Sequence, residues 1–83
     1  MADIFSVIAD ATRREILGVL LDRRSTTGEA SVSEIVEALG VAQPTVSKHL
    51  KTLRDAGLVE VREEGQHRYY RIDTAPLDEV DDW

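Results

Sequence analysis

The feature that most constrains the fold is a pair of helical patterns separated by a very short connection. Ser31 to Glu34 reads S-V-S-E, a capping box that starts a helix, and Gly40 is placed to end that helix in a left-handed turn. The apolar residues of this eight- or nine-residue helix fall on one face: Val32, Ile35, Val36 and Leu39. Two residues later another pattern begins, with Pro44 in its first turn. Helices joined by about three residues that include a glycine predict a helix-turn-helix.

The second helix of the pair is predicted over residues 43–56. Its buried seam consists of Val46, Leu50 and Leu53. Ala56 and Gly57 end it, and the periodicity then changes from helical to alternating. Leu58 to Arg62 form one predicted strand, residues 63–66 a turn, and residues 67–72 a second strand. A hairpin that follows a helix-turn-helix defines a winged helix.

Two further helices are predicted before this unit. Ile4, Phe5 and Ile8 give a short apolar stripe, and a longer helix runs over residues 11–21. The predicted seam of the longer helix consists of Ile16, Leu17, Leu20 and Leu21. Residues 22–31 are polar, contain a glycine and lack periodicity, so we expect a loop there.

These elements predict one mainly α domain with a small β-hairpin, an α+β winged helix-turn-helix over residues 1–83. The helix-turn-helix occupies about 32–56, the wing about 58–72, and a short C-terminal segment 73–83. A chain of 83 residues is short for two cores.

Arg13 projects over the apolar face of its helix, and we expect it to pair with a carboxylate such as Asp10 or Glu34 rather than with a phosphate.

Composition excludes several functional classes. The absence of cysteine rules out disulfides, thiolate metal sites and cysteine nucleophiles. Two separate histidines and dispersed carboxylates do not form a catalytic or metal-binding pattern, so we expect no enzyme activity, no metal site and no cofactor.

No export signal and no apolar run of about 20 residues is present, which predicts a cytoplasmic, nucleoid-associated protein without membrane contact.

The formal net charge of -6 is unusual for a DNA-binding protein, but the charge is unevenly distributed. Residues 43–71 contain six Lys or Arg against four Asp or Glu, a balance of +2. The remaining residues contain four Arg against twelve Asp or Glu, a balance of -8. Net charge governs solubility and non-specific binding more than the local field at a binding surface. The acidity therefore predicts weak general attraction to DNA, not the absence of binding.

Three segments resemble the ArsR-type winged-helix transcriptional regulators of bacteria. They are IADATRREIL (Ile8–Leu17), SVSEIVEALGVAQPTVSKHLKTLRDAGLV (Ser31–Val59) and REEGQHRYYRI (Arg62–Ile72). The resemblance implies a dimeric DNA-binding repressor with the second helix of the motif in the major groove and the hairpin against the flanking backbone. The chain departs from the family pattern in three ways: it lacks the metal-sensing cysteines, it has Ala42 where a capping Ser or Thr is common, and its terminal segment is short.

The helix over 43–56 supplies most of the predicted DNA contacts. N-terminal residues of a recognition helix reach base edges, whereas later ones meet the backbone. The predicted base-edge residues are Gln43, Thr45, Ser47 and Lys48, and the predicted phosphate contacts are Lys51 and Arg54. His49 lies close to the buried seam, so we expect it to pack at the edge of the core.

The wing supplies a second predicted contact set: Arg62, His67, Arg68 and Arg71. The alternative is that these arginines pair with glutamates of the hairpin, namely Glu60, Glu63 and Glu64. Tyr69 and Tyr70 point to opposite faces of the strand, so one of them should enter the core.

The apolar residues at the two ends of the chain predict a homodimer interface: Ile4, Phe5, Ile8, Leu77, Val80 and Trp83. Double-stranded DNA is the expected ligand. The rival hypothesis is an acidic winged-helix module that binds another protein and does not bind DNA itself.

Overall fold

A computed structural model describes residues 4–73 as four helices and a small antiparallel sheet. The elements are α1 (Ile4–Ala9), α2 (Ala11–Arg23), β1 (Ala30–Ser31), α3 (Val32–Leu39), α4 (Gln43–Asp55), β2 (Val59–Glu64) and β3 (His67–Ile72). The strand order is β1-β3-β2, with both pairs antiparallel. The predicted fold class is confirmed: α3 and α4 form the helix-turn-helix, and the β2–β3 hairpin is the wing.

Local signals set the start and the end of α3. The Ser31 hydroxyl accepts a hydrogen bond from the Glu34 backbone N–H at 3.2 Å, and the Glu34 carboxylate accepts one from the Ser31 N–H at 3.1 Å. Gly40 adopts the left-handed conformation, with φ 67 and ψ 24, and donates to the Val36 carbonyl at 2.8 Å. The predicted capping box and glycine stop are therefore both confirmed, and they place α4 two residues further on.

Every described helix and strand contributes at least one buried side chain to one small core. Its buried members are Val7, Ile16, Leu20, Ala30, Ile35, Val46, Leu50, Leu53, Leu58, Val59 and Tyr70. The seam predicted for α4 is fully buried. The seam predicted for α2 is too wide: Ile16 and Leu20 are buried, but Leu21 is 48% exposed. Leu21 lies about 100° around the helix from Leu20, beyond the face that the other elements cover.

The predicted loop over 22–31 is wrong at both ends. Helix α2 continues to Arg23, and Ala30 and Ser31 form β1, which pairs with Tyr70 and Tyr69 of β3. A two-residue strand is too short to show an alternating pattern, so only its partner strand identifies it.

The predicted turn of the wing is too long. Glu63 and Glu64 continue β2 opposite Arg68 and His67, so the connection is only two residues, Gly65 and Gln66. Gly65 has a positive φ of 61, a conformation that glycine adopts without steric cost.

The predicted partner of Arg13 is also wrong. Its side-chain Nε donates to Nδ1 of His49 at 3.1 Å, so it joins α2 to α4. Asp10 instead accepts from the Arg13 backbone N–H at 3.1 Å as the cap of α2. Glu34 pairs with Arg23, whose Nη1 lies 2.6 Å from its carboxylate, because Arg23 is on the turn of α2 that faces the start of α3.

The Glu34 carboxylate makes the stability of the domain dependent on pH. The hydrogen bond from the Ser31 N–H, and then the bond from Arg23, lower the pKa of Glu34 below its ordinary value of 4.5. A lowered folded-state pKa contributes stability above pH 4.5, which is lost as the pH falls through the folded-state value. Glu34→Gln should therefore destabilise the domain at pH 7, and this difference from wild type should shrink below pH 4.5. Urea unfolding across that range tests it, with the exposed Glu37→Gln as the control that should change little.

The start of α4 lacks the side-chain cap that α3 has. Ala42 is the N-cap residue, with φ -59 and ψ 144, and it makes no side-chain cap hydrogen bond. Ala42→Ser should raise the free energy of unfolding by about 1 kcal/mol, because a serine hydroxyl can satisfy one of those donors. A higher urea midpoint with an unchanged m-value would support this, whereas Ala38→Ser in the last turn of α3 should give no gain. Equal midpoints for Ala42→Ser and wild type would contradict it.

Candidate nucleic-acid interface

The exposed surface of α4 carries two rows of polar side chains. One row faces the wing and consists of Gln43, Ser47, Lys51 and Arg54. The other row contains Thr45 and Lys48, which are also exposed but do not line the same depression. All six residues predicted to contact DNA from this helix therefore lie at the surface, and the helix presents them on two adjacent sides.

An open depression between α4, the start of α3 and the wing forms the candidate site, and we refer to it as the recognition groove. Besides the four α4 residues, it is lined by Ser31, Val32, Ser33, Gln66, His67, Arg68 and Tyr70. Sequence reasoning missed Ser33 and Gln66. Their positions in the sequence could have identified them, since Ser33 lies in the first turn of α3 and Gln66 at the tip of the hairpin.

The cations of α4 differ from those of the wing in their partners. Within residues 4–73, Lys48, Lys51 and Arg54 form no ion pair. Their charges are thus available to an anionic ligand. By contrast, each of the three wing arginines lies beside at least one carboxylate.

The strand pleat places the wing arginines on two different faces. Directly opposed residues share a face, and the buried Tyr70 opposes Val61. Glu63 and Arg68, each two residues from that pair, lie on the same face, which borders the recognition groove. Arg62 and Arg71 lie on the outer face. The sequence grouped these arginines around Gly65, whereas the sheet separates them.

Arg62 is the most strongly held of the three. Its Nη2 lies 2.5 Å from Glu29 and its Nη1 2.7 Å from Glu64, and its guanidinium carbon is 4.7 Å from the Tyr69 ring centroid. The hydrogen bond from Arg62 lowers the pKa of Glu29, and the bonds to Glu29 and Glu64 raise the pKa of Arg62. Glu29 was not foreseen as a partner because it falls in the predicted loop, 33 residues away in sequence.

The other two arginines pair across the hairpin with the residues directly opposite them. Arg71 lies 2.5 Å from Glu60, and Nε of Arg68 lies 3.4 Å from Glu63. The ion pairs between hairpin arginines and glutamates, which were the alternative hypothesis from the sequence, are therefore present in the structure. Both members of each pair are exposed, so these contacts are compatible with exchange for another anion.

The aromatic residues and His49 occupy the predicted positions. Tyr70 is buried in the core, while Tyr69 lies on the opposite face beneath Arg62. His67 is exposed, with its ring centroid 6.2 Å from that of Tyr69. His49 is half-buried and bonded to Arg13, which confirms that it packs at the core edge. Among residues 4–73, no three His, Cys, Asp or Glu side chains are grouped so as to hold a metal ion.

The predicted dimer surface falls largely outside the described part of the chain. Leu77, Val80 and Trp83 lie beyond residue 73, and the side chains of Ile4 and Phe5 are likewise outside the description. Ile8 is half-buried and packs against the core of its own subunit. None of the helices within residues 4–73 is long and apolar enough to cross a bilayer.

Known proteins share this arrangement. Residues 10–61 match the family described as "Bacterial regulatory protein, arsR family". The chain is 41% identical over 73 residues to the transcriptional regulator KmtR of Mycobacterium tuberculosis, covering 88% of this chain but only 52% of KmtR. It is 31% identical over 83 residues to the transcriptional repressor SdpR of Bacillus subtilis, covering all of this chain and 87% of SdpR.

A solved structure with the same fold is a possible transcriptional regulator for arsenical resistance. It matches with a TM-score of 0.83 and 33% identity, over 99% of this chain and 80% of that one. The family match spans more than half of the 83 residues and includes the helix-turn-helix and the start of the wing. The chain therefore belongs to the arsR family of bacterial regulatory proteins and is a winged helix-turn-helix DNA-binding transcriptional regulator.

Proposed function

We propose that the protein is a sequence-specific repressor that inserts α4 into the major groove and rests the wing on the flanking backbone. The observation that carries this proposal is the contrast around the recognition groove: α4 presents exposed polar side chains and cations that have no carboxylate partner within the described residues. An exposed helix of this width and charge fits the major groove of B-DNA. The names of SdpR and of an arsenical resistance operon repressor of Staphylococcus aureus support repression as the outcome.

The proposed contacts divide into base readout and positioning. Gln43, Thr45, Ser47 and Lys48 lie in the first turns of α4 and would meet base edges. Lys51 and Arg54 would bind phosphates on one side of the groove, and Arg68 and His67 would bind them from the wing. Arg62 and Arg71, held by carboxylates on the outer face, would contact only the backbone beside the wing.

A homodimer would supply the affinity that one acidic subunit lacks. With a formal charge of -6, general attraction to DNA is weak, and binding depends on specific contacts repeated in two half-sites. A two-fold dimer requires half-sites about one helical turn apart, or a multiple of that spacing. A repressor of this kind would act in the cytoplasm, at the nucleoid.

The proposal can be tested by selecting fragments of the source genome with the purified protein and sequencing those retained. We expect enrichment of an inverted repeat in promoter regions, and binding to it that weakens as salt concentration rises. Analytical ultracentrifugation should show a dimer. Failure to retain any duplex at low salt would overturn the proposal and favour an acidic protein-interaction module.

A further inference from the structure

We propose that Glu63 is a specificity-determining residue, because it neutralises Arg68 in the free protein and must release it before the wing can bind a phosphate. This inference rests on the proposed function and adds a role for an acidic residue within the DNA-facing surface. Glu63 would act as an internal substitute for the phosphate, present until DNA docks closely.

The placement of this pair singles it out from the other ion pairs of the wing. Glu63 and Arg68 oppose each other one residue from the Gly65–Gln66 turn, on the face that borders the recognition groove. Arg68 lines that groove together with Lys51 and Arg54 of α4. Glu63 does not line the groove itself but shares with Arg68 a smaller adjoining depression at the tip of the hairpin. A nucleic-acid backbone that reaches Arg68 would therefore pass beside Glu63.

The geometry makes this pair the easiest of the three to exchange. The Arg68–Glu63 distance is 3.4 Å, and the two side chains are 59% and 64% exposed. Arg62 instead contacts two carboxylates and an aromatic ring, and Arg71 lies 2.5 Å from its partner. Exposed ion pairs contribute little free energy, so a phosphate oxygen can replace the Glu63 carboxylate at Arg68.

Replacement of the Glu63 carboxylate by a phosphate at Arg68 changes the salt dependence of DNA binding less than phosphate binding by an unpaired cation does. A free cation such as Lys51 releases one counter-ion from DNA when it binds a phosphate. When Arg68 binds a phosphate, the freed Glu63 carboxylate takes up a cation from solution. The two changes nearly cancel, so Arg68 should add almost nothing to the salt slope of the wild-type protein.

The same exchange favours specific over non-specific complexes. On an operator, base contacts from α4 hold the duplex close enough for a phosphate to displace Glu63. On other sequences the duplex docks loosely, the Glu63–Arg68 pair persists, and the carboxylate repels the backbone. Loss of the carboxylate should therefore strengthen non-specific binding more than specific binding.

Glu63→Gln tests this inference, with Glu15→Gln as a matched control. Glu15 is exposed on α2 and has no ion pair within residues 4–73, so the control makes the same change in net charge away from the groove. Binding to a scrambled duplex is measured by fluorescence anisotropy from 50 to 200 mM salt. Glu63→Gln should steepen the salt slope by about 0.9 per bound subunit, which corresponds to a roughly three- to fourfold greater loss of affinity over that range. Glu15→Gln should leave the slope unchanged.

A double variant identifies Arg68 as the group released. Glu63→Gln combined with Arg68→Gln should return the slope to the wild-type value, while Arg68→Gln alone should change it little. Equal slopes for Glu63→Gln and Glu15→Gln, or a steep slope that persists in the double variant, would overturn the inference. If the wild type retains its operator while Glu63→Gln behaves as the control does, only this inference fails; if the wild type binds no duplex, the proposed function fails as well.

Discussion

Leu50→Ala is expected to lower the free energy of unfolding by about 2–5 kcal/mol. Leu50 is fully buried in the middle of α4 and belongs to the core cluster, whose other members come from the other helices, the strands and the start of the wing. Truncation removes its burial and leaves a cavity that a small core fills poorly. Domains typically have only about 5–15 kcal/mol of net stability, so this single change would remove a large share.

Leu21→Ala is the matched control for this prediction. It makes the same chemical change at a residue that is 48% exposed on α2, so its effect should stay within about 0.5 kcal/mol. Urea unfolding followed by circular dichroism measures both variants. Losses of similar size at Leu50 and Leu21 would show that the core assignment is wrong. Because α4 carries the proposed contacts, Leu50→Ala should also weaken operator binding in proportion to the fraction unfolded.

Lys48→Ala is expected to weaken binding to the selected operator by about 1–3 kcal/mol, which is roughly 5- to 150-fold. Lys48 is exposed in the second turn of α4, outside the row that faces the wing, and it has no ion pair among the described residues. A lysine in this position can donate to the acceptor atoms of guanine in the major groove. Its removal should therefore also relax the preference at one operator position.

Lys51→Ala provides the comparison that separates base readout from phosphate binding. Lys51 lies one turn later on the wing side of α4, where we place a phosphate contact. Its loss should weaken all sequences about equally and reduce the salt slope by about 0.9 per subunit. Competition binding with single-position operator variants measures both effects. If Lys48→Ala weakened every sequence to the same extent, Lys48 would be a phosphate contact and the base-edge assignment would be wrong.

The helix-turn-helix could be predicted because its signals are local. The capping box at Ser31 and Glu34, the left-handed Gly40 and the spacing of Val46, Leu50 and Leu53 each act over one or two helical turns. The structure confirms all of them. For the same reason the exposed residues of α4 could be listed, because a known seam defines the opposite face of a helix.

Predictions from the sequence were wrong where a residue's position depends on elements that are distant in sequence. Leu21 matched the helical spacing, yet the neighbouring elements do not cover that side of α2. β1 exists only because residues 30 and 31 meet β3, about 40 residues later. Arg13 finds His49 through the packing of α2 against α4, and no local pattern connects those positions.

The sequence by itself determined that this chain is a winged helix-turn-helix with an exposed, cationic recognition helix, since short-range periodicity, caps and turns specify those elements. Only the tertiary structure decided the state of the wing. The pleat places Arg68 toward the recognition groove and Arg62 away from it, and the arrival of β1 beside β3 brings Glu29 to Arg62. Ion pairs between exposed side chains depend on register and on which strands are adjacent, and both are set by the packing of the whole domain.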